Sequence, residues 1–318
     1  MLYYKLKNYI FNGEKMKYSL FFDKIKSVYE LAGIIENEPM CKHTTFQVGG
    51  NAEIFAKPRN IGAFMTVLGA AKECDLPLTV IGRGSNLLVS DKGIKGLVLC
   101  TCGMSGIKVE GSRIIAESGA TMAQFARAAY NAGLTGAEFS AGIPGTVGGG
   151  VFMNAGAYDG QLSDLVVKSV FMDAEGNSRI ITNKEHEFDY RNSIFKHHTD
   201  WIIIQTEFVL KPANKEDIKA KMDDFAQRRR DKQPLNYPSA GSTFKRPAGH
   251  FAGKLIEDAG LKGAKIGGAM VSEKHAGFVI NTGSATCQDV TGLINHIQQA
   301  VKSQFNVELE CEVRMLGD

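Results

Sequence analysis

The stretch SAGIPGTVGGGVFMNAGAY, residues 140–158, holds six glycines and one proline in nineteen positions. Glycine costs roughly 0.5–1 kcal/mol relative to alanine inside a helix or strand, so this density is a heavy local penalty. Such a penalty persists where side chains would collide with something, or where backbone amides must turn toward an anion. A flexible linker is the bland alternative. The interleaved Ile143, Val147, Val151, Phe152 and Met153 argue against it, because these residues pack. A second glycine-rich stretch lies upstream: IGRGSNLLVSD, residues 81–91, follows a β-branched run and sets Gly82, Arg83, Gly84, Ser85 and Asn86 in a row. Its G-x-G suggests a dinucleotide fold of the Rossmann type, but the third glycine position holds Leu87. The following residues read as strand and turn instead of helix. Consecutive amides in a tight glycine turn still form an anion-binding concavity, with a plain hairpin turn as the alternative. Two such segments, without a Rossmann or Walker A pattern, point to a large flat cofactor carrying a pyrophosphate.

Composition narrows the partner. At 318 residues the chain has room for about two domains. Hydrophobic content of 44% and charged content of 22% suit a globular protein with a core. The net charge of +3 argues against a nucleic-acid binder, which would show a strongly basic face. The six cysteines include no C-x-x-C pair and read as reduced core residues of a cytosolic protein, not a disulfide framework. Cys100 and Cys102 would share one face of a strand, but no metal site is assigned there. No apolar run approaches the roughly 18 residues of a membrane span. The opening MLYYKLKNYIFNGEKMKYSLFF lacks the continuous apolar core of a signal peptide. It reads either as a short capping segment or as read-through from an upstream start, with Met16 able to serve as the first residue.

Patterning then organises the chain. Residues 61–74 carry apolar positions at helical spacing and meet Pro77, and residues 120–133 form an alanine-rich helix closed by Asn131 and Gly133. Residues 76–82, 96–100, 113–117 and 201–210 are β-branched runs that predict buried strands. A charged helix fits residues 214–230 with Asn214 as N-cap, and the composition shift there places a domain boundary near 213. Thr286 and Asp289 stand at capping-box spacing before a helix that aligns Val290, Leu293, Ile294, Ile297 and Val301 on one face. The class is α+β. The expected division is a leader over 1–18, two cofactor-binding subdomains at 19–100 (with the C-terminal strand, 306–318) and 101–213, and a C-terminal domain over 214–305.

GRGSNLLVSD and AGIPGTVGGGVFMNAGAY together resemble the UDP-N-acetylenolpyruvoylglucosamine reductase family. YRNSIFK at 190–196, PSAGSTFKRP at 238–247 and LECEVRMLG at 309–317 match it in the same order, and HTTFQVGGNAEIFAKP at 43–58 fits the family's opening strand. The resemblance runs from about His43 to Arg314. It implies the flavin-binding fold shared with vanillyl-alcohol oxidase and p-cresol methylhydroxylase, with two α+β subdomains clasping FAD and a third domain closing the substrate site. It implies that Gly82 to Leu87 hold the pyrophosphate, and that Gly145, Thr146, Gly148, Gly149, Asn154 and Ala155 run beside the ribityl chain and isoalloxazine. The FAD is expected to be non-covalent, since no flavin-attachment pattern accompanies the glycine segments. The family's catalytic roles fall on Arg191, a forked cation for charge developing beside a carboxylate, on Glu312, which assists polarisation, and on Ser242, the proton donor.

By the same resemblance NADPH reduces the flavin and leaves, and a UDP-N-acetylglucosamine enolpyruvate then enters the same cleft. Tyr190, Lys232 and Lys245 are the expected substrate contacts. Arg228 to Arg230 and Lys232 either complement a helix C-terminus or meet the uridine diphosphate. His275 lies in a family-typical segment and receives no role. Cys311, Gly150 and Asp159 depart from the family's usual proline, alanine and glycine without removing a charge or donor. The 51 positions from Arg191 to Ser242 fit the compact subtype, and a monomer is favoured. Two rival readings remain: an oxidase of sugars or alcohols on the same flavin fold, and a non-catalytic nucleotide-sugar binding protein.

Overall fold

The computed structural model describes residues 12–317. The first lobe begins with helix α1 (Asn12–Lys24) and strands β1 (Ile34–Pro39) and β2 (Asn51–Ala56). It continues through helix α2 (Ile61–Glu73) and strands β3 (Leu78–Ile81), β4 (Leu87–Val89) and β5 (Ile94–Cys100). The sheet order is β1-β2-β5-β3, with β5 parallel to both neighbours. A central parallel strand is covered on both faces. Accordingly Leu97, Val98 and Leu99 are all buried. The α2 helix starts where the Asn60 side chain accepts from the Ala63 amide, and its Phe64, Val67, Leu68 and Ala71 stripe faces the core.

Part of the expected leader is ordered. Residues 1–11 lie outside the described residues, but α1 seats Phe21 in the same core, with Ile25 just beyond the helix, and Lys17 pairs with Asp75 at 2.6 Å.

The second lobe is a five-stranded antiparallel sheet built from β6 (Ile107–Glu110), β7 (Arg113–Glu117), β8 (Val166–Met172), β9 (Ser178–Thr182) and β10 (Ile202–Val209), in the order β9-β8-β10-β7-β6. Helices α3 (Met122–Asn131) and α4 (Val147–Met153) cover one face through Met122, Phe125, Val147 and Val151. Helix α5 (Lys215–Lys232) also belongs here: Phe225 packs on this core and Ile218 is buried. The boundary expected near 213 therefore moves to the end of α5, because this mostly charged helix rests its few apolar residues on the second lobe.

The C-terminal domain follows with α6 (Ala252–Asp258), the small antiparallel sheet β11 (Lys265–Ile266), β12 (Ala269–Val271) and β13 (Val279–Asn281), and α7 (Cys287–Phe305). The Thr286–Asp289 capping box forms, and the Val290 to Val301 stripe is buried. Burying each such side chain contributes about 1.5–3 kcal/mol. Phe46, Val48 and Leu88 of the first lobe share this core, and Asp91 accepts the Cys287 and Gln288 amides at the start of α7. The final strand, β14 (Arg314–Leu316), returns to pair in parallel with β4.

One expectation about the cysteines changes. Cys100 ends β5, but Cys102 lies in the one-turn helix Thr101–Gly103, so the two do not share a strand face.

Candidate active site

The two glycine segments face one another across a cavity of ≈ 740 Å³. Its first wall is the 82–87 loop. Gly84 has φ +63°, and a Cβ there would stand 2.1 Å from the His43 carbonyl oxygen, so no larger residue fits. Gly82 abuts Thr146, whose Oγ1 would lie 2.3 Å from an added Cβ. Among the described residues, no protein acceptor takes the amides of Gly82, Arg83, Gly84, Ser85 or Asn86. A row of free amides in a tight turn is the concavity that holds phosphate oxygens. Asn86 has a further duty: its side-chain amide donates to the Glu312 carbonyl at 2.9 Å, and its own carbonyl accepts from the Arg314 amide at 2.9 Å.

The opposite wall answers the question posed by the glycines in two ways. Gly145, Thr146, Gly148, Gly149, Gly150 and Ala155 all line the cavity. Protein packing, however, dictates some of them. A Cβ on Gly148 would meet Ser118 Cβ at 2.8 Å, and one on Gly150 would meet Leu162 and Met122 at 2.9 Å. The amides of Val147, Gly148, Gly149 and Gly150 are already taken by Ala120, Ser118 and Thr146. Here the glycines let α4 pack closely against Ser118, Met122 and Leu162, and these four amides are not left for a ligand. Tyr158 and Asp159 both have positive φ, 52° and 63°, in the turn that follows, which explains why Asp159 occupies a position suited to glycine.

Three chain segments bring the expected catalytic side chains together on this cavity. Arg191 rises from the Asp189–Asn192 turn with φ 54°, a left-handed backbone that costs a non-glycine residue of order 1–2 kcal/mol. Its Nη2 donates to the Gly156 carbonyl at 3.0 Å, and its Nε pairs with Glu312 Oε1 at 3.1 Å. Glu312 arrives because residues 310–312 run antiparallel to 243–245, through Glu312 N to Thr243 O at 2.8 Å and Lys245 N to Glu310 O at 2.9 Å. That pairing sets Ser242 beside the same space, and Ser242 lines the cavity. Its Oγ has only a long 3.4 Å bond to the Phe244 carbonyl, which leaves its proton available. Burial pushes the Glu312 carboxyl up, against the pull of Arg191, Lys196 and Lys245.

Four expected residues lie elsewhere. Asn154 is 2% exposed and turns away from the cavity, because its amide is spent on Asp189, Gln161 and Ser163. Tyr190 is half exposed, with its hydroxyl accepting from the Arg246 amide. Lys232 is exposed at the end of α5, and Lys245 is paired with Glu310 behind Glu312; neither lines the cavity.

Other residues take those places. Arg229, one turn before the end of α5, lines the cavity beside Tyr158, which stacks on Phe225 at 4.5 Å. Arg229 makes no ion pair among the described residues, and burial holds its pKa below the usual arginine value. Ser118 Oγ and Gln233 Oε1 are buried, line the cavity and have no hydrogen-bond partner among the described residues. A buried polar atom without a partner costs about 1–3 kcal/mol. Two of them on one cavity wall fit a bound group with polar edges. The cavity's size, its free amide row and these two atoms together suit FAD. Arg229 could be read from the RRR run at 228–230; nothing in the sequence around Ser118 announced it.

Comparison with known proteins agrees. Residues 52–181 match the FAD binding domain family, and residues 233–316 match the UDP-N-acetylenolpyruvoylglucosamine reductase C-terminal domain. A UDP-N-acetylenolpyruvoylglucosamine reductase of Caldanaerobacter subterraneus is 48% identical over 296 residues, 93% of this chain and 98% of that one. The reductase of Pediococcus pentosaceus is 47% identical over 285 residues, 90% of this chain and 95% of that one. The crystal structure of the Thermus caldophilus reductase superposes with a TM-score of 0.76 at 30% identity, covering 90% of this chain and 99% of that one. With its cavity, its free amide row and relatives matched over nearly their full length, the chain belongs to the UDP-N-acetylenolpyruvoylglucosamine reductase family.

Proposed function

We propose that the chain is an FAD-dependent, NADPH-consuming reductase that converts UDP-N-acetylglucosamine enolpyruvate to UDP-N-acetylmuramate for peptidoglycan synthesis. The observation that carries this reading is the meeting of Arg191, Ser242 and Glu312, from three separate segments, on the cavity walled by the 82–87 loop. Bound in this cavity, FAD would supply the hydride chemistry, carrying a hydride from NADPH to the enolpyruvyl double bond. Everything else falls to the protein. The amides of Gly82 to Asn86 would hold the cofactor's pyrophosphate, and Ser118 and Gln233 would hydrogen-bond its polar edges. Arg191 receives the enolpyruvyl carboxylate and the negative charge that builds beside it. Glu312 orients that guanidinium through the 3.1 Å pair, and burial pushes its carboxyl up against the pull of Arg191. The Ser242 Oγ proton passes to the enolate carbon, the one centre basic enough to take it. Arg229, which lines the cavity and makes no ion pair among the described residues, suits the substrate's diphosphate.

The chain acts on a small nucleotide sugar, and among the described residues no helix is long and apolar enough to cross a membrane. We read it as a cytoplasmic monomer. The test is mass spectrometry of the product after holoenzyme is incubated with NADPH and the enolpyruvyl nucleotide. A nucleotide sugar heavier by two hydrogens is expected. Unchanged nucleotide, with hydrogen peroxide accumulating in its place, would favour an oxidase.

A further inference from the structure

Asn154 was expected beside the cofactor, but it is buried and does not line the cavity. It closes α4 in a left-handed conformation, φ 43° and ψ 58°. Its side chain crosses to the arm that carries Arg191. Nδ2 donates to the Asp189 carbonyl at 3.1 Å and to Gln161 Oε1 at 3.4 Å, and Oδ1 accepts from the Ser163 amide at 3.0 Å. The Asp189 carbonyl also accepts from the Asn192 amide at 3.1 Å, so the Asn154 bond lands on the atom that closes the turn around Arg191. Two neighbouring ties run the same way. Ser193 Oγ donates to the Phe152 carbonyl at 2.8 Å, and the Arg191 guanidinium donates to the Gly156 carbonyl at 3.0 Å. Residues 152–156 therefore grip the turn before, at and after Arg191. The strained backbone of Arg191 needs such a grip, since a left-handed arginine persists only where its surroundings over-determine it.

We propose that Asn154 is a positioning residue for Arg191, coupling the arm that presents the guanidinium to the helix that walls the cofactor cavity. The inference rests on the reading of Arg191 as the group that meets the enolpyruvyl carboxylate. Asparagine suits the post on two counts: it tolerates the left-handed backbone, and its amide supplies a donor and an acceptor at once. Its side chain is absent from the cavity lining, so its loss should reach the chemistry only through Arg191.

Two variants test this on holoenzyme by anaerobic stopped flow. Asn154→Gly keeps the left-handed backbone and removes the amide. Flavin content and reduction by NADPH should stay within about threefold of wild type. Reoxidation by saturating enolpyruvyl nucleotide should fall about 10- to 100-fold, the scale expected for a misplacement of about 1 Å at a reacting group. Asn154→Asp keeps the acceptor for Ser163 but sets a carboxylate against the Asp189 carbonyl. Protonation restores a donor there, so its reoxidation defect relative to wild type should shrink between about pH 8 and about pH 5.5. A purely architectural asparagine would weaken both half-reactions alike. Equal losses in both half-reactions, loss of neither, or release of flavin from both variants would overturn the proposal. Failure of the wild-type flavin to be reoxidised by the nucleotide would show separately that the functional reading itself is wrong.

Discussion

Gly84→Ala tests the phosphate-loop reading with a magnitude taken from the geometry. The new Cβ would lie 2.1 Å from the His43 carbonyl oxygen and 2.9 Å from Thr44 Cα, where real contacts stay above 3.0 Å. The obstructing atoms are all backbone of His43 and Thr44, so the loop must withdraw by about 1 Å from the 43–45 segment, breaking the Thr45 N to Gly84 O bond of 3.3 Å. Alanine at φ +63° adds a strain of about 1 kcal/mol. A shift of that size spoils one or two amide–phosphate bonds, each charge-assisted and contributing about 1.5–3 kcal/mol. FAD affinity should therefore fall by about 10- to 10⁴-fold. Gly111→Ala is the control, because Gly111 has φ +58° in the hairpin between β6 and β7 and nothing lies within 4 Å of its added Cβ. It should lose about 1 kcal/mol of stability and keep wild-type FAD affinity. Flavin fluorescence titration of the two apoproteins measures both. Wild-type affinity in Gly84→Ala, or equal weakening in the two variants, would refute the assignment of the loop to the pyrophosphate.

Ser242→Ala should leave NADPH reduction of the flavin within a few-fold of wild type and slow reoxidation by the enolpyruvyl nucleotide about 10²- to 10⁴-fold; stopped-flow absorbance separates the two, and equal slowing removes the proton-donor role. His186 is fully buried, its ring bonded to the Thr182 carbonyl and Ser169 Oγ, and burial lowers its pKa below 6.5. A depressed histidine contributes stability above the unfolded value that is lost as pH falls through the folded one, so Tm should drop as pH falls below about 6.5. His186→Gln should flatten that slope, and an unchanged slope would mean another group causes it. A chain starting at Met16, which is 71% exposed, should keep its flavin and activity, whereas Phe21→Ala, at 0% exposed, should cost about 3–5 kcal/mol in a denaturation series. A stable Phe21→Ala would mean that α1 does not pack on the first lobe.

Local patterning carried the secondary structure. The 96–100 run became the heart of β5, Asn214 capped α5, and the Thr286–Asp289 capping box formed, because each depends on residues within one turn or strand. Domain membership did not read as well. The charged composition of α5 set it with the C-terminal domain, and the second-lobe contact of Phe225 is a matter of which surface lies opposite. The same limit governs the site. Arg191, Ser242 and Glu312 could be named from ordered motifs, yet their convergence depends on the 243–245 pairing with 310–312 and on the Asn86 clip, contacts between residues far apart in sequence. Asn154 sits one residue from a cavity-lining alanine, and only the left-handed turn at the end of α4 sends its side chain the other way. Lys232 and Arg229 lie three positions apart on one helix, nearly a full turn, but Arg229 reaches the cavity and Lys232 ends in solvent.

The most direct test of the account is an anaerobic double-mixing experiment on the wild-type holoenzyme. NADPH is mixed first, and the flavin absorbance near 450 nm should bleach; UDP-N-acetylglucosamine enolpyruvate is mixed second, and the absorbance should return within the enzyme's turnover time, about 0.001–1 s. Recovery that waits for oxygen and ignores the nucleotide would contradict the central claim.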